Sequence, residues 1–204
     1  MQMLARTLVA TTLALAATAA LSNATVGQPA PAFTATDATG KTVSLADFKG
    51  KHVVLEWVNP GCPYVVKHYS GGNMQGTQRE ATAKGVVWLS VNSTATDSRD
   101  YRSPASMNSW MQQQKAAATA TLMDADGKVG RAYGARTTPH MYVIDPAGKL
   151  VYAGAIDNKP SSNPADTATA TNHVKVALAE LLAGKPVSTP VTRPYGCSVK
   201  YSSM

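Results

Sequence analysis

The chain has 204 residues, enough for one domain of ordinary size. Its 19 Lys and Arg exceed its 12 Asp and Glu for a formal charge of +7, but the basic residues are scattered and not interleaved with aromatics, which argues against a nucleic-acid partner. Four histidines without paired ligand spacing give no metal motif, and no organic cofactor motif is visible.

Met1 to Arg6 carries one positive charge, Thr7 to Leu21 is apolar or small, and Ser22-Asn23-Ala24 offers small residues for cleavage. This pattern predicts a secretory signal peptide over residues 1–24, because the apolar run is too short to span a bilayer. The expectation is an exported protein, periplasmic in a Gram-negative source, with no membrane segment after cleavage. Export would place Cys62 and Cys197 where a disulfide persists, although two cysteines also allow two free thiols.

Phe33–Thr36 and Thr42–Leu45 flank a glycine turn and predict a small hairpin. Leu45–Phe48 reads as a single helical turn. Val53–Val58 is a short, β-branched and aromatic run, expected to be a buried strand. Asn59-Pro60-Gly61 breaks it, and Pro63 suits the first turn of a helix that Gly71-Gly72 interrupts before it resumes to Ala83. Cys62 therefore stands at a helix N-terminus, where unpaired N–H groups and the helix dipole favour a thiolate. Lys67 and His68, on the same helix but turned away from Cys62, are expected at the surface or in loop contacts.

Val86–Val91 reads as a second buried strand, Ser103 to Lys115 as a helix with Ser-Pro start chemistry, and Thr119–Leu122 as a strand. Lys128–Tyr133 is a short helix. Met141–Ile144 and Leu150–Gly154 form a hairpin across Asp145-Pro146-Ala147-Gly148. Thr171–Leu182 is amphipathic and helical. The expected organisation is an α/β domain over residues 25–186 with a mixed sheet, followed by a tail over 187–204 that carries Cys197. Arg193-Pro194-Tyr195-Gly196-Cys197-Ser198-Val199-Lys200-Tyr201 has more aromatic and apolar content than a free tail needs, which suggests that it docks.

Two stretches, Glu56 to Tyr64 and Gly134 to Gly148, resemble the thioredoxin superfamily in order and spacing. The whole looks most like its exported redoxin or peroxiredoxin-like branch, related to alkyl hydroperoxide reductase and thiol-specific antioxidant proteins. The resemblance implies a thioredoxin-like α/β fold, with Cys62 at the position of the first active cysteine. It makes Pro139 a cis-proline, and Thr138, Pro139, Pro63 and Tyr64 substrate contacts. The second cysteine of the family's Cys-x-x-Cys is replaced by Val65, which leaves Cys197 as the only internal resolving candidate. The peroxiredoxin Pro-x-x-x-Thr/Ser-x-x-Cys pattern is absent, since Leu55 and Asn59 stand at its key positions. Glu56 matches the family's buried acid and would exchange protons with Cys62, or else face solvent or pair with Lys51 or Lys67. His140 would stabilise a Cys62 thiolate, or else face away as a strand-end histidine.

Two functions stay open. The first is a thiol-dependent oxidoreductase acting on a protein disulfide or a peroxide with an external reductant and no cofactor. The second is a non-catalytic binding or assembly module with a structural disulfide. The tail's ~12 residues between Lys185 and Cys197 reach up to ~40 Å when extended, so a Cys62–Cys197 bond is within range.

Overall fold

The alternation of β-branched runs with glycine-bounded turns folds as a mixed sheet covered on both faces. The structure, a computed structural model, describes residues 24–203. The expected signal peptide lies outside the described residues except for Ala24, whose backbone N–H donates to the Ala132 carbonyl at 3.0 Å. Among the described residues no helix is long and apolar enough to cross a membrane.

Strands β1 (Thr34–Asp37) and β2 (Thr42–Ser44) form the N-terminal hairpin, followed by a 3-10 turn at Leu45–Phe48. Strand β3 (Val53–Trp57) leads into helix α1 (Pro63–Ser70). Gly71 caps α1, and Gly72, at φ +72°, starts helix α2 (Asn73–Ala83). Strand β4 (Val87–Asn92), helix α3 (Pro104–Gln113), strand β5 (Ala120–Met123) and helix α4 (Lys128–Tyr133) follow. The chain then forms β6 (Thr137–Thr138), β7 (His140–Ile144), β8 (Leu150–Gly154) and helix α5 (His173–Leu182).

The main sheet has the order β2-β1-β5-β4-β3-β7-β8. Strands β3, β4 and β5 run parallel, as buried crossover units do, while β7 and β8 close one edge antiparallel. Side-chain alternation divides the core. Val54, Val58, Trp88, Met141, Val143 and Tyr152 face α1, α2, α3 and α5. Val53, Leu55, Trp57, Leu89, Tyr142 and Ile144 face the opposite side, with Tyr133 of α4 and Phe33. Cys62 belongs to the first of these clusters.

Neither β6 nor the strand it pairs with is among the elements that the sequence predicts. A second, two-stranded sheet joins β6 to β9 (Cys197–Ser198), with Thr137 opposite Ser198 and Thr138 opposite Cys197. The C-terminal residues 190–202 are an ordered strap. It begins at the β8 edge, where the Ala153 N–H donates to the Pro190 carbonyl. Past β6, the Val199 N–H donates to the Arg136 carbonyl and the Lys200 carbonyl accepts from Ala95. The strap ends over α4, where Tyr201 donates to the Ala135 carbonyl and Arg131 stacks on its ring and bonds the Ser202 carbonyl.

Candidate functional site

Cys62 follows β3 after the turn at residues 58–61 and is the N-cap residue of α1, with Pro63 in the first turn. The tight turn before it is held by Asn59, whose carboxamide accepts from the Gly61 N–H at 2.8 Å and donates to Thr94 at 2.9 Å. The Cys62 side chain makes no cap bond to α1. Its thiol donates instead to the Thr138 carbonyl at 3.0 Å. The Thr138–Pro139 peptide is cis, so the resemblance was right about that bond. Thr138 is buried, and its hydroxyl oxygen has no hydrogen-bond partner. Cys62 itself is only 2% exposed.

The group that covers it is the strap. Cys197 lies opposite Thr138 in the β6–β9 pair, and the Thr138 carbonyl also accepts from the Cys62 thiol, which puts the two thiols near enough to influence each other's charge. The Tyr64 backbone N–H, in the first turn of α1, favours the Cys197 thiolate. Both cysteines are free thiols in this structure. The Cys197 thiol is pushed up to about 12, first by burial, then by its hydrogen bond and charge interaction with Cys62. Lys200 and the Tyr64 amide oppose that rise.

Two residues before Cys197, Tyr195 reaches into a buried polar cluster. Its hydroxyl donates to Asp157 and lies 3.3 Å from Lys67 Nζ and 3.2 Å from His68 Nε2. Lys67 Nζ also donates to the Lys159 carbonyl at 2.6 Å and pairs with Asp157 at 3.5 Å. The Tyr195 ring stands edge-on to Tyr64 at 5.8 Å. Lys67 and His68 were expected at the surface or in loop contacts; both are 0% exposed, so the surface placement falls, while their contacts with Asp157 and Lys159 do lie in the loop after β8. The correction has a simple cause: the groups that cover them come from residues 157, 159 and 195, which no local pattern on α1 announces. Burial depresses the His68 imidazole to about 4, with Asp157 pulling upward and Lys67 downward, so it stands neutral at pH 7.

Glu56 is fully buried, which removes the solvent-facing alternative, and its bonds go to other side chains than Lys51 or Lys67. Its carboxylate accepts from Trp88 Nε1 at 2.7 Å, Tyr69 at 2.8 Å, Gln78 at 3.0 Å and Ser90 at 3.1 Å. Burial raises its carboxyl above the ordinary range, and the four donors oppose that shift. Those four donors hold it in the core, with no direct bond to Cys62. His140 takes the second of its two expected placements, a strand-end histidine facing away from Cys62, and not the thiolate-stabilising one. It stacks on Tyr142 at 4.5 Å, its Nδ1 accepts from the Arg136 N–H at 3.3 Å, and strand alternation places it on the face opposite the Cys62 cluster. Burial and the Arg136 charge hold its imidazole down at about 3, so it is neutral and supplies no cation to the thiol. Among the described residues no group of three or more His, Cys, Asp or Glu is placed to hold a metal ion.

The AhpC/TSA family pattern matches residues 26–153. The thiol-disulfide oxidoreductase ResA of Bacillus cereus is 27% identical over 126 residues, 62% of this chain and 67% of that protein. Among solved structures, an uncharacterized conserved protein from Geobacillus kaustophilus is 27% identical with a TM-score of 0.76, over 88% of this chain and 94% of its own. The thioredoxin domain of a thiol-disulfide oxidoreductase from Bacteroides vulgatus is 28% identical with a TM-score of 0.50, over 63% of this chain and 87% of its own. The fold is thioredoxin-like, and the strap with Cys197 lies beyond the matched family segment. With well over half its length matched and oxidoreductases among its curated relatives, the chain belongs to the AhpC/TSA family of thioredoxin-fold redoxins.

Proposed function

We propose that this protein is an exported thiol-disulfide oxidoreductase in which Cys62 is the nucleophile and Cys197 the resolving thiol. The observation that carries this reading is the juxtaposition of the two thiols at Thr138, which is registered opposite Cys197 and accepts from the Cys62 thiol through its carbonyl. The Cys62 thiolate attacks one sulfur of a substrate disulfide, forming a mixed disulfide and releasing one substrate thiolate. Cys197 then loses its proton and attacks the Cys62 sulfur. The second substrate thiolate leaves, and a Cys62–Cys197 disulfide remains. An external dithiol returns the pair to its reduced form.

The charges support this order of attack. Two of the influences that raise the Cys197 thiol come from Cys62. Once Cys62 is held in a mixed disulfide, its sulfur no longer offers a competing charge, while Lys200 and the Tyr64 amide continue to favour the Cys197 thiolate. A disulfide is favoured over a peroxide because Asn59 replaces the hydroxyl that peroxiredoxins place near their cysteine, and its carboxamide is spent on Gly61 and Thr94. The kinship to thiol-disulfide oxidoreductases points the same way. Export rests on the N-terminal charge and apolar run. Mass spectrometry of the mature protein is expected to find residues 1–24 removed, and their retention on exported protein would overturn that part.

Ellman's reagent tests the chemistry. The wild type is expected to release two thionitrobenzoate ions per chain and keep no adduct. Cys197→Ser should release one and keep one, and Cys62→Ser should lose the fast phase. A wild type that keeps its adduct, or a fast phase that survives in Cys62→Ser, contradicts the assignment and favours the non-catalytic module.

A further inference from the structure

Strap residues 190–202 lie where a bound polypeptide would lie. The backbone of Thr137 and Thr138 offers a strand edge beside Cys62, and among the described residues β9 is the only strand that pairs with it. An extended chain adds to such an edge by main-chain hydrogen bonds. Here the chain's own Cys197 and Ser198 have taken them.

The rest of the fold is shaped around this occupancy. A Cβ on Gly196 would collide with the Thr138 carbonyl, so only glycine lets the strap approach so closely. A Cβ on Gly154 would lie 2.6 Å from the Thr192 carbonyl oxygen, and one on Gly127 would lie 2.7 Å from the Tyr201 ring. A Cβ on Gly130 would strike the Tyr201 hydroxyl. Between these close approaches stands the Tyr195 hydroxyl, bonded to Asp157 and beside Lys67 and His68, all three of them buried. A buried lysine, histidine and aspartate need partners to offset their lost hydration. Tyr195 is a shared partner of all three.

We propose that the strap is a specificity element, latched by Tyr195, that holds the polypeptide groove closed and restricts the strapped protein to low-molecular-weight disulfides. An extended polypeptide disulfide reacts only in the fraction of molecules whose strap has left β6. A small disulfide needs no strand edge, so it requires only the local opening that uncovers Cys62, 2% exposed, and not departure of the strap from β6. The proposal rests on the reading of Cys62 as the nucleophile, and it adds which substrates reach that thiol.

The test is run on the full chain in a Cys197→Ser background, so that Cys62 forms a mixed disulfide that nothing resolves. Two probes share one leaving group: Ellman's reagent, and a short unstructured peptide whose single cysteine is joined to thionitrobenzoate. Cys62 attacks the peptide sulfur and thionitrobenzoate departs, so both rates are read at the same colour. The quantity of interest is the rate with the peptide divided by the rate with Ellman's reagent.

Tyr195→Ala is expected to raise this ratio by about tenfold or more, because the apparent rate scales with the fraction of open molecules. Tyr195→Phe keeps the ring against Tyr64 but loses the hydroxyl, and is expected to raise the ratio by less. It also carries the test alone if Tyr195→Ala does not fold. Hydrogen exchange at the Ala95 and Val199 amides, which bond across the strap, reports release in the same variants. Faster exchange with an unchanged ratio overturns the specificity role. Unchanged exchange in both variants overturns the latch. If Cys62 reacts with neither probe in any variant, it is the nucleophile assignment that fails.

Discussion

Glu56 and His68 show how a single buried group ties this fold to pH. The His68 and His140 imidazoles are depressed to about 4 and about 3. A depressed histidine contributes stability that is fully present above its unfolded value of about 6.5 and is lost as pH falls toward the folded value. For His68 that loss falls in the window from about 6.5 down to about 4. Glu56 acts with the opposite sign. Its carboxyl is raised by burial, so its contribution is fully present below the unfolded carboxyl value and is lost as pH rises through the folded one. Glu56→Gln removes the second trend while keeping the shape. Its oxygen can face Gln78, Trp88 and Ser90, and its amide can donate to Tyr69, which turns its own proton toward Met111 Sδ at 4.0 Å. Urea unfolding at pH 7 and pH 5 is expected to show a larger acid loss in Glu56→Gln than in the wild type. Equal losses would show that Glu56 does not titrate between those values.

Helix α1 and the strap depend on each other at the level of elements. The first turn of α1 places Cys62, and its later residues Lys67 and His68 hold the strap through Tyr195. Removing Asp157 from that cluster leaves the Lys67 ammonium buried without its counter-charge. Asp157→Ala is therefore expected to cost ~3–5 kcal/mol in denaturant unfolding, and a cost near zero would mean that the cluster is solvated in solution. At the other end of the strap, Gly130→Ala would force Tyr201 off α4, since the new methyl would also lie 2.8 Å from Ser93 Oγ. That change is expected to cost ~1–3 kcal/mol and to speed exchange at the Ala95 amide. The helix pattern could not disclose these roles. Lys67 and His68 are polar residues on a partly exposed helix, and their burial comes from chain 90 to 128 residues away.

For the whole molecule, most of the architecture was legible because it is written in local signals. The run Val53–Trp57, the Ser103-Pro104 helix start and the Asp145–Gly148 turn each carry their own physical chemistry, and each formed the expected element. Glycine and proline spacing likewise revealed the break between α1 and α2. The β6–β9 pair was not legible, because two-residue strands have no periodicity and this pair joins residues 137–138 to residues 197–198. Alternation along β7 did carry a usable signal for His140: the residue shares a face with Tyr142, opposite Met141 and Val143. We propose that Cys62 and Cys197 form one redox pair across the cis-proline loop. This pairing is tested most directly by equilibrating the protein with a small disulfide, quenching in acid and mapping the peptides by mass spectrometry. The expected product is a single intramolecular link between the peptide carrying Cys62 and the peptide carrying Cys197. Two separately modified cysteines, or a link only between two chains, would contradict it.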